Sequence, residues 1–272
     1  MNYGIVIGGG HPQRVIEIAQ MAEEAGWDGF FLPEGLYGID PWVLFGGIAV
    51  KTERICIGTL LTPPSRRRPW KLASEALALN LLSDGRAILS LGLGALDTGF
   101  EMFGEETDRK TRAELMDEAI DIMDQLWTRR TISHGGKHYQ VEGELFFAIP
   151  APKQQPRIPI WVTGAWPRMK SMRRVLRCDG ILASKMPASG KSEPLTPDDV
   201  REIRAYVNEN RTLSSPFDII VEDVSPGDDP VAAAEKVRPW MEAGATWWIE
   251  SPWDAPDEEA VVRRIQQGPP TY

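Results

Sequence analysis

Apolar runs alternate with amphipathic runs along almost the whole chain. Tyr3–Ile7 predicts a first strand, followed by Gly8-Gly9-Gly10-His11. Pro12 opens a helix whose Val15, Ile18, Ala19, Ala22 and Ala25 share one face, and Gly26 ends it. Proline suits a first helical turn and glycine suits the position just past the end. Gly29–Leu32 is a second strand, ending at Pro33-Glu34, and Pro41–Val50 is a short helix. Ile55–Leu61 is a third strand, interrupted by Gly58-Thr59. Trp70–Leu82 reads as a helix with Trp70, Ala73, Leu77 and Leu81 on one face. After a turn at Ser83–Arg86, Ala87–Leu93 is a fourth strand that finishes in Gly92-Leu93-Gly94. Strands apolar on both faces, separated by helices, imply a covered parallel sheet.

Residues 95–157 break the rhythm. Arg109–Trp127 carries a sustained i, i+3, i+4 apolar pattern through Leu115, Met116, Ala119, Ile120, Met123 and Trp127. His134–Tyr139 and Leu145-Phe146-Phe147 then suggest an irregular hairpin, closed by Pro150, Pro152, Pro156 and Pro159. Residues 101–157 are therefore expected to be an insertion of helix plus hairpin between strands four and five, with 130–157 acting as a lid. The alternation resumes with strands at Ile160–Val162, Ile181–Ala183, Phe217–Val221 and Thr246–Ile249. Helices at Met169–Leu176, Pro197–Asn210, Pro230–Glu242 and Pro256–Ile265 follow them in turn. Eight strands, each followed by a helix, predict an α/β fold, a (β/α)₈ TIM barrel formed as one domain by residues 1–272. An open doubly wound sheet is the alternative, and the first strand lacks the GxGxxG of a dinucleotide fold.

Composition narrows the function. The 30 basic and 39 acidic residues give a net charge of −9. That balance disfavours a nucleic-acid binder or a basic membrane-surface protein. Cys56 and Cys178 are the only cysteines, both in apolar surroundings, so buried inert thiols are expected rather than a disulfide framework or a metal site. No apolar run approaches the ~20 residues of a membrane span and no signal pattern opens the chain, so the cytoplasm is the expected compartment.

In a barrel the chemistry lies at the strand C-termini. Those positions are Gly8–His11, Glu34, Thr59–Thr62, Gly92–Asp97, Thr163–Trp166, Ser184-Lys185, Glu222-Asp223 and Glu250–Trp253. Such small and aromatic residues suit a large, flat, partly apolar ligand. The three histidines, His11, His134 and His138, form no metal-ligand spacing, and no GxSxG elbow is present. Lys185 is the one candidate for aldolase-type chemistry. The expected chemistry belongs to a bound organic cofactor.

Several segments carry a family resemblance. They are Ala22–Gly29, Thr52–Ile55, Ile57–Pro63, Arg67–Ala73, Leu82–Arg86, Leu91–Gly94, Gly136–Tyr139, Pro159–Gly164 and Cys178–Gly180. In this order and spacing the chain resembles the bacterial luciferase-like monooxygenase family and its deazaflavin-dependent relatives, most clearly over residues 3–185. The resemblance implies a barrel enzyme that oxidises a small organic substrate with reduced FMN and oxygen, supplied by a flavin reductase. Its alternatives are a hydride-transfer oxidoreductase using the deazaflavin coenzyme F420 and a non-catalytic flavin-binding protein. A homo-oligomer is compatible with it.

The resemblance also implies roles. Gly58, Thr59, Leu60 and Thr62 fall on the strand-three bulge under the cofactor ring, where many members have a non-prolyl cis peptide at the place of Thr59-Leu60. Gly92, Gly94 and Ala95 would let the cofactor approach the backbone, unless the glycines serve strand packing. Thr163, Gly164, Ala165 and Trp166 match the turn that holds the cofactor phosphate, with Arg168 adding charge. Glu34 falls where relatives carry an acidic residue near the reactive edge, commonly Asp followed by His. Here the pair is Glu34-Gly35, so Glu34 alone is left as the catalytic candidate, beside the reading of a merely hydrogen-bonded carboxylate. His11, Arg66 and Trp253 are expected at the substrate mouth. For Arg66 the alternative is a solvated loop residue bridged to the insertion.

Overall fold

In the computed structural model, residues 1–187, 189 and 191–270 are described. The chain runs β1 (Asn2–Val6), α1 (Pro12–Glu24), β2 (Gly29–Leu32), α2 (Pro41–Lys51), β3 (Cys56–Thr59), α3 (Pro69–Leu82), β4 (Ala87–Leu91) and α4 (Arg109–Thr128). A hairpin follows, β5 (Thr131–Gly135) and β6 (Gln140–Glu144). Then come β7 (Ile160–Trp166), α5 (Met169–Val175), β8 (Gly180–Lys185), α6 (Pro197–Asn210), β9 (Asp218–Asp223), α7 (Pro230–Glu242), β10 (Trp247–Glu250) and α8 (Glu258–Gln266).

The strands other than the hairpin close into a parallel barrel in the order β1-β10-β9-β8-β7-β4-β3-β2. Closure is visible at Gly4 of β1, which is in register with Gly29 of β2 on one side and Ile249 of β10 on the other. Eight parallel strands with helices between them make this the (β/α)₈ barrel, and the open-sheet alternative falls. Side-chain oxygens of Asp40, Asp108, Thr196, Asp229 and Asp257 cap the N-termini of α2, α4, α6, α7 and α8, which satisfies amides that have no helical partner.

The barrel interior is a solid plug. Phe31 and Trp247 lie 5.6 Å and 5.2 Å from the Trp161 ring, with Val6, Leu60, Ile88 and Ile249 around them. A β-carbon on Gly29 would meet the Phe31 ring at 2.6 Å and Trp247 at 2.9 Å, so a residue without a side chain makes the aromatic layer possible. A filled interior leaves the rim of the barrel as the place for a ligand.

Several expectations shift. α3 turns Leu72, Ala73, Ala76, Leu77 and Leu79 inward, whereas Trp70 is 42% exposed and Leu81 half-buried. Trp70 instead meets Tyr139 of the hairpin edge-on at 6.0 Å. β3 stops at Thr59, and the non-prolyl cis peptide is Leu60–Leu61, one bond further along than the family pattern implied. β7 continues to Trp166, so Thr163–Trp166 are strand residues in register with Leu182–Lys185 and not a turn. Cys178 is fully buried and its thiol is pushed up to about 12. Cys56 is only partly buried, at the start of β3 beside a cleft of about 290 Å³ at the N-terminal end of the barrel, although desolvation still pushes its thiol up to about 11.

α4 lies along α3 in the fourth helical place of the barrel, and the hairpin is the added piece. The hairpin folds onto the flank of α4. Ile132 and Tyr139 bury against Ile122. Glu118 accepts the backbone N–H groups of Lys137, His138 and Tyr139. Residues 130–157 contribute nothing to the lining of the cavity at the mouth.

Candidate functional site

A cavity of about 930 Å³ opens at the C-terminal ends of β4, β7 and β8, under the first turns of α4 and α5. Part of its lining is apolar or small: Leu61, Leu93, Gly94, Ala95, Thr163, Ala165, Ser184 and Met186. The remainder includes Arg109, Lys110, Arg112, Arg168, Lys170 and Arg174, with Ser171 and one acid, Asp108. Asp108 is already committed, since its Oδ1 accepts from the backbone and the hydroxyl of Thr111, each at 2.8 Å. In a chain of net charge −9, this is a local concentration of positive charge.

Two of the arginines are built into the wall. Arg112 is 5% exposed. Its Nη1 donates to the carbonyls of Leu93 at 2.6 Å and Gly94 at 3.1 Å, and its guanidinium lies 5.3 Å from the Phe100 ring. Its buried Nε has no partner among the described residues. Burial, reinforced by Arg109, lowers its pKa from the ordinary arginine value. Arg174 reaches across from α5 to α4, donating Nε to Asp117 at 2.6 Å and Nη2 to Asp117 at 2.8 Å. Arg168 donates to the carbonyls of Met186 and Pro187. Arg109, Arg112, Arg168 and Lys170 make no ion pair among the described residues, and Lys110 reaches Glu114 only at 3.9 Å. Cations left without carboxylates around a partly apolar cavity fit an anionic, flat ligand.

Small residues shape the other part of the lining. Gly94 has φ +75°, and a β-carbon there would meet Phe100 at 2.8 Å and Pro63 at 2.9 Å. The Ser184 hydroxyl donates to the Gly164 carbonyl at 3.1 Å, and the Ser171 hydroxyl accepts the Ala165 N–H at 3.1 Å.

Gly94, Ala95, Thr163 and Ala165 therefore meet at the cavity, with Arg168. Leu61, not Leu60, is the residue just past β3 in its wall; Leu60 belongs to the barrel interior. Gly58, Gly92 and Gly164 stand behind the wall, where side chains would run into the Ile88 carbonyl, the Leu61 side chain and the Ile181 side chain respectively. Trp166 points outward, donating to Glu202 at 2.9 Å. Trp253 is half-exposed and donates to Glu222 at 2.8 Å. His11 is exposed at the start of α1 and makes no cap. Neither lines the cavity.

Glu34, Thr59, Thr62 and Arg66 form a separate buried network beside it. Glu34 Oε2 accepts from Thr62 Oγ1 at 2.6 Å and from Trp42 Nε1 at 2.9 Å. Its Oε1 accepts from Arg67 Nη1 at 3.1 Å, and its backbone carbonyl from Arg66 Nη2 at 2.8 Å. The Arg66 side chain is thus buried and bound to Glu34 rather than solvated, and Glu105 of the expected insertion acts on it at longer range without a salt bridge among the described residues. Arg67 continues to Glu75 of α3.

The α4 turn, Lys170, Ser171, Arg174 and Met186 escaped the sequence reading. One signal was available: Arg109 and Lys110 occupy the first turn of α4, where the helix dipole disfavours cations, so helix stability alone would not place them there. Among the described residues no group of three or more His, Cys, Asp or Glu is arranged to hold a metal ion, and no helix is long and apolar enough to cross a membrane.

A (β/α)₈ barrel with a cationic, half-apolar cavity at its C-terminal rim defines a class of cofactor-dependent barrel proteins. The chain matches the luciferase-like monooxygenase family over residues 2–268 and belongs to it; it is an oxidoreductase of that family. It is 28% identical over 254 residues to an F420-dependent glucose-6-phosphate dehydrogenase of Nocardia farcinica, covering 86% of this chain and 71% of that protein. The fold is shared with the F420-dependent tetrahydromethanopterin reductase of Methanopyrus kandleri, at a TM-score of 0.75 and 16% identity over 98% of this chain and 96% of that one. It is also shared with the oxygenating constituent of 3,6-diketocamphane monooxygenase of Pseudomonas putida in complex with FMN, at 0.72 and 17% over 98% and 96%.

Proposed function

We propose that this protein is a deazaflavin-dependent oxidoreductase that moves a hydride between the coenzyme and a small organic substrate. The observation that carries this reading is the cationic wall formed by α4 and α5. Arg109, Lys110, Arg112, Arg168 and Lys170 together offer more charge than a single phosphate monoester needs, and F420 carries a phosphodiester and further carboxylates. The F420-dependent relative aligned over 86% of the chain supports the same choice. The FMN monooxygenase reading draws on the description of the family and on a neighbour that shares the fold alone, and the hairpin expected to seal the mouth for oxygen chemistry lies on the flank of α4.

When bound, the deazaflavin ring supplies the hydride donor or acceptor. The chain's own residues do the rest. Leu61, Leu93 and Met186 give an apolar wall that keeps water from a flat ring. Thr163 and Ser171 offer hydroxyls, and Arg112 and Arg168 offer charge, to the anionic part. Gly94 takes the positive φ of this turn and leaves room for Phe100 and Pro63 behind the cavity wall.

The test is a fluorescence titration of the purified protein with F420 and, separately, with FMN. Micromolar binding of F420 and much weaker binding of FMN is expected. Tight binding of FMN without F420 would overturn the reading and restore the monooxygenase.

A further inference from the structure

Glu34 occupies the place from which a carboxyl group would be expected to exchange a proton, yet its surroundings are those of a fastening. Its side chain is 6% exposed. Its carboxylate faces donors from three separate pieces of the chain: Trp42 of α2, Thr62 just past β3, and Arg67 of the turn before α3. Arg66 Nη2 lies 3.8 Å from the same carboxylate while donating to its backbone carbonyl. Every neighbour is a donor, and the arrangement suits a carboxylate that accepts throughout. Glu34 is also absent from the cavity lining.

What Glu34 holds stands next to the cavity wall: Thr62 does not line the cavity, but its chain neighbour Leu61 does. The Thr62 hydroxyl has one proton, and at 2.6 Å that proton goes to Glu34. The Thr59 hydroxyl lies 3.0 Å from Thr62 Oγ1 and 3.4 Å from the Ser90 carbonyl, so its one proton serves one of the two. The backbone N–H of Thr62 donates to Ser90 at 2.9 Å, and its carbonyl accepts from Gly92 at 3.2 Å. Residue 62 is thus fixed on both sides, and Leu61, its neighbour, forms the wall of the cavity.

We propose that Glu34 is a positioning residue: through the Thr62 hydroxyl it sets the place of Leu61 in the wall of the coenzyme cavity, and it does not itself exchange protons. This rests on the coenzyme reading above. Replacing the carboxylate by an amide puts an N–H₂ against donors and leaves Arg67 with Glu75 as its one carboxylate, so at least one of the fastening bonds is lost.

The test is coenzyme binding, followed by F420 fluorescence, in the wild type, Glu34→Gln, Thr62→Val, Thr62→Ser and the Glu34→Gln/Thr62→Val double variant. Glu34→Gln and Thr62→Val should each weaken binding by about tenfold, as expected for one lost bond to a charged group. The double variant should fall well short of the sum of the two losses, because both variants break the same Glu34–Thr62 bond. Thr62→Ser, which keeps the hydroxyl, should restore wild-type binding. Wild-type affinity in Thr62→Val, or additive losses in the double variant, would overturn the proposal. Should Glu34→Gln fail to fold, the contrast between Thr62→Val and Thr62→Ser decides alone. A wild type that binds no F420 sinks the coenzyme reading and this one together, whereas normal wild-type binding with an unaffected Thr62→Val sinks only this one.

Discussion

The methyl groups of Leu61 fill the space that a β-carbon on Gly92 would need, at 2.6 and 2.9 Å. Leu61 lines the cavity and Gly92 lies behind it, so the glycine acts on the site through its neighbour.

Gly92→Ala should therefore push Leu61 and the Thr163 methyl, which is 2.9 Å away, toward the cavity. Overpacking of this kind costs about 1–3 kcal/mol. A lowered melting temperature together with weaker F420 binding is the expected result. Gly58→Ala should be worse for stability, because its β-carbon would meet the backbone carbonyl of Ile88, which has no rotamer to change. Thermal denaturation of the two variants side by side checks the order.

Arg112→Ala removes the cation most firmly built into the cavity wall. Its loss should weaken binding of an anionic coenzyme by about 10- to 100-fold, the worth of one charge-assisted interaction. It should also release the carbonyls of Leu93 and Gly94. Arg112→Lys should recover only part of the loss, since an ammonium is a point charge and cannot span both carbonyls and a ligand. Fluorescence titration measures both.

Asp117→Ala leaves Arg174 as a buried cation without its carboxylate. Asp117 is 34% exposed, so the cost should lie at about 1–2 kcal/mol, below that of breaking a fully buried pair. Because this pair joins α5 to α4, urea denaturation should show lower stability, and coenzyme affinity should fall with it.

The hairpin should loosen in acid before the barrel does. Hydrogen bonds from Lys137 and then His138 pull the Glu114 carboxyl down from 4.5 to about 2. A carboxyl lowered in the folded state stabilises above its unfolded value and loses that contribution as pH falls through the folded one. Protection of the β5–β6 amides should accordingly decline between about pH 4.5 and 2, and hydrogen exchange followed by mass spectrometry would detect it. Exchange that stays flat across this window would show that the Glu114 bonds do not hold the hairpin.

The barrel was legible because its signals are local. Each strand is an apolar run and each helix a repeat of the same period, and proline, glycine and acidic residues mark the helix ends. Gly29–Leu32 and Pro197–Asn210 match their observed bounds residue for residue. The family segments also placed Gly94, Ala95, Thr163 and Ala165 at the cavity. Errors arose where an outcome depended on a partner from elsewhere in the chain. Trp70 satisfies the helical period but faces Tyr139 of the hairpin. Thr163–Trp166 look like a turn but extend a strand because β8 runs beside them.

The sequence by itself determined the order of elements, the closed barrel and the family, since periodicity and turn chemistry are properties of neighbouring residues. Only the tertiary structure decided which end of α4 and which side of β3 meet the ligand. Arg112 becomes a cavity residue because the loop after β4 brings the Leu93 and Gly94 carbonyls to it. Glu34 is drawn away from the cavity because Trp42, Thr62 and Arg67 converge on its carboxylate. Such convergence joins residues distant in sequence, and it is set by the closing of the barrel.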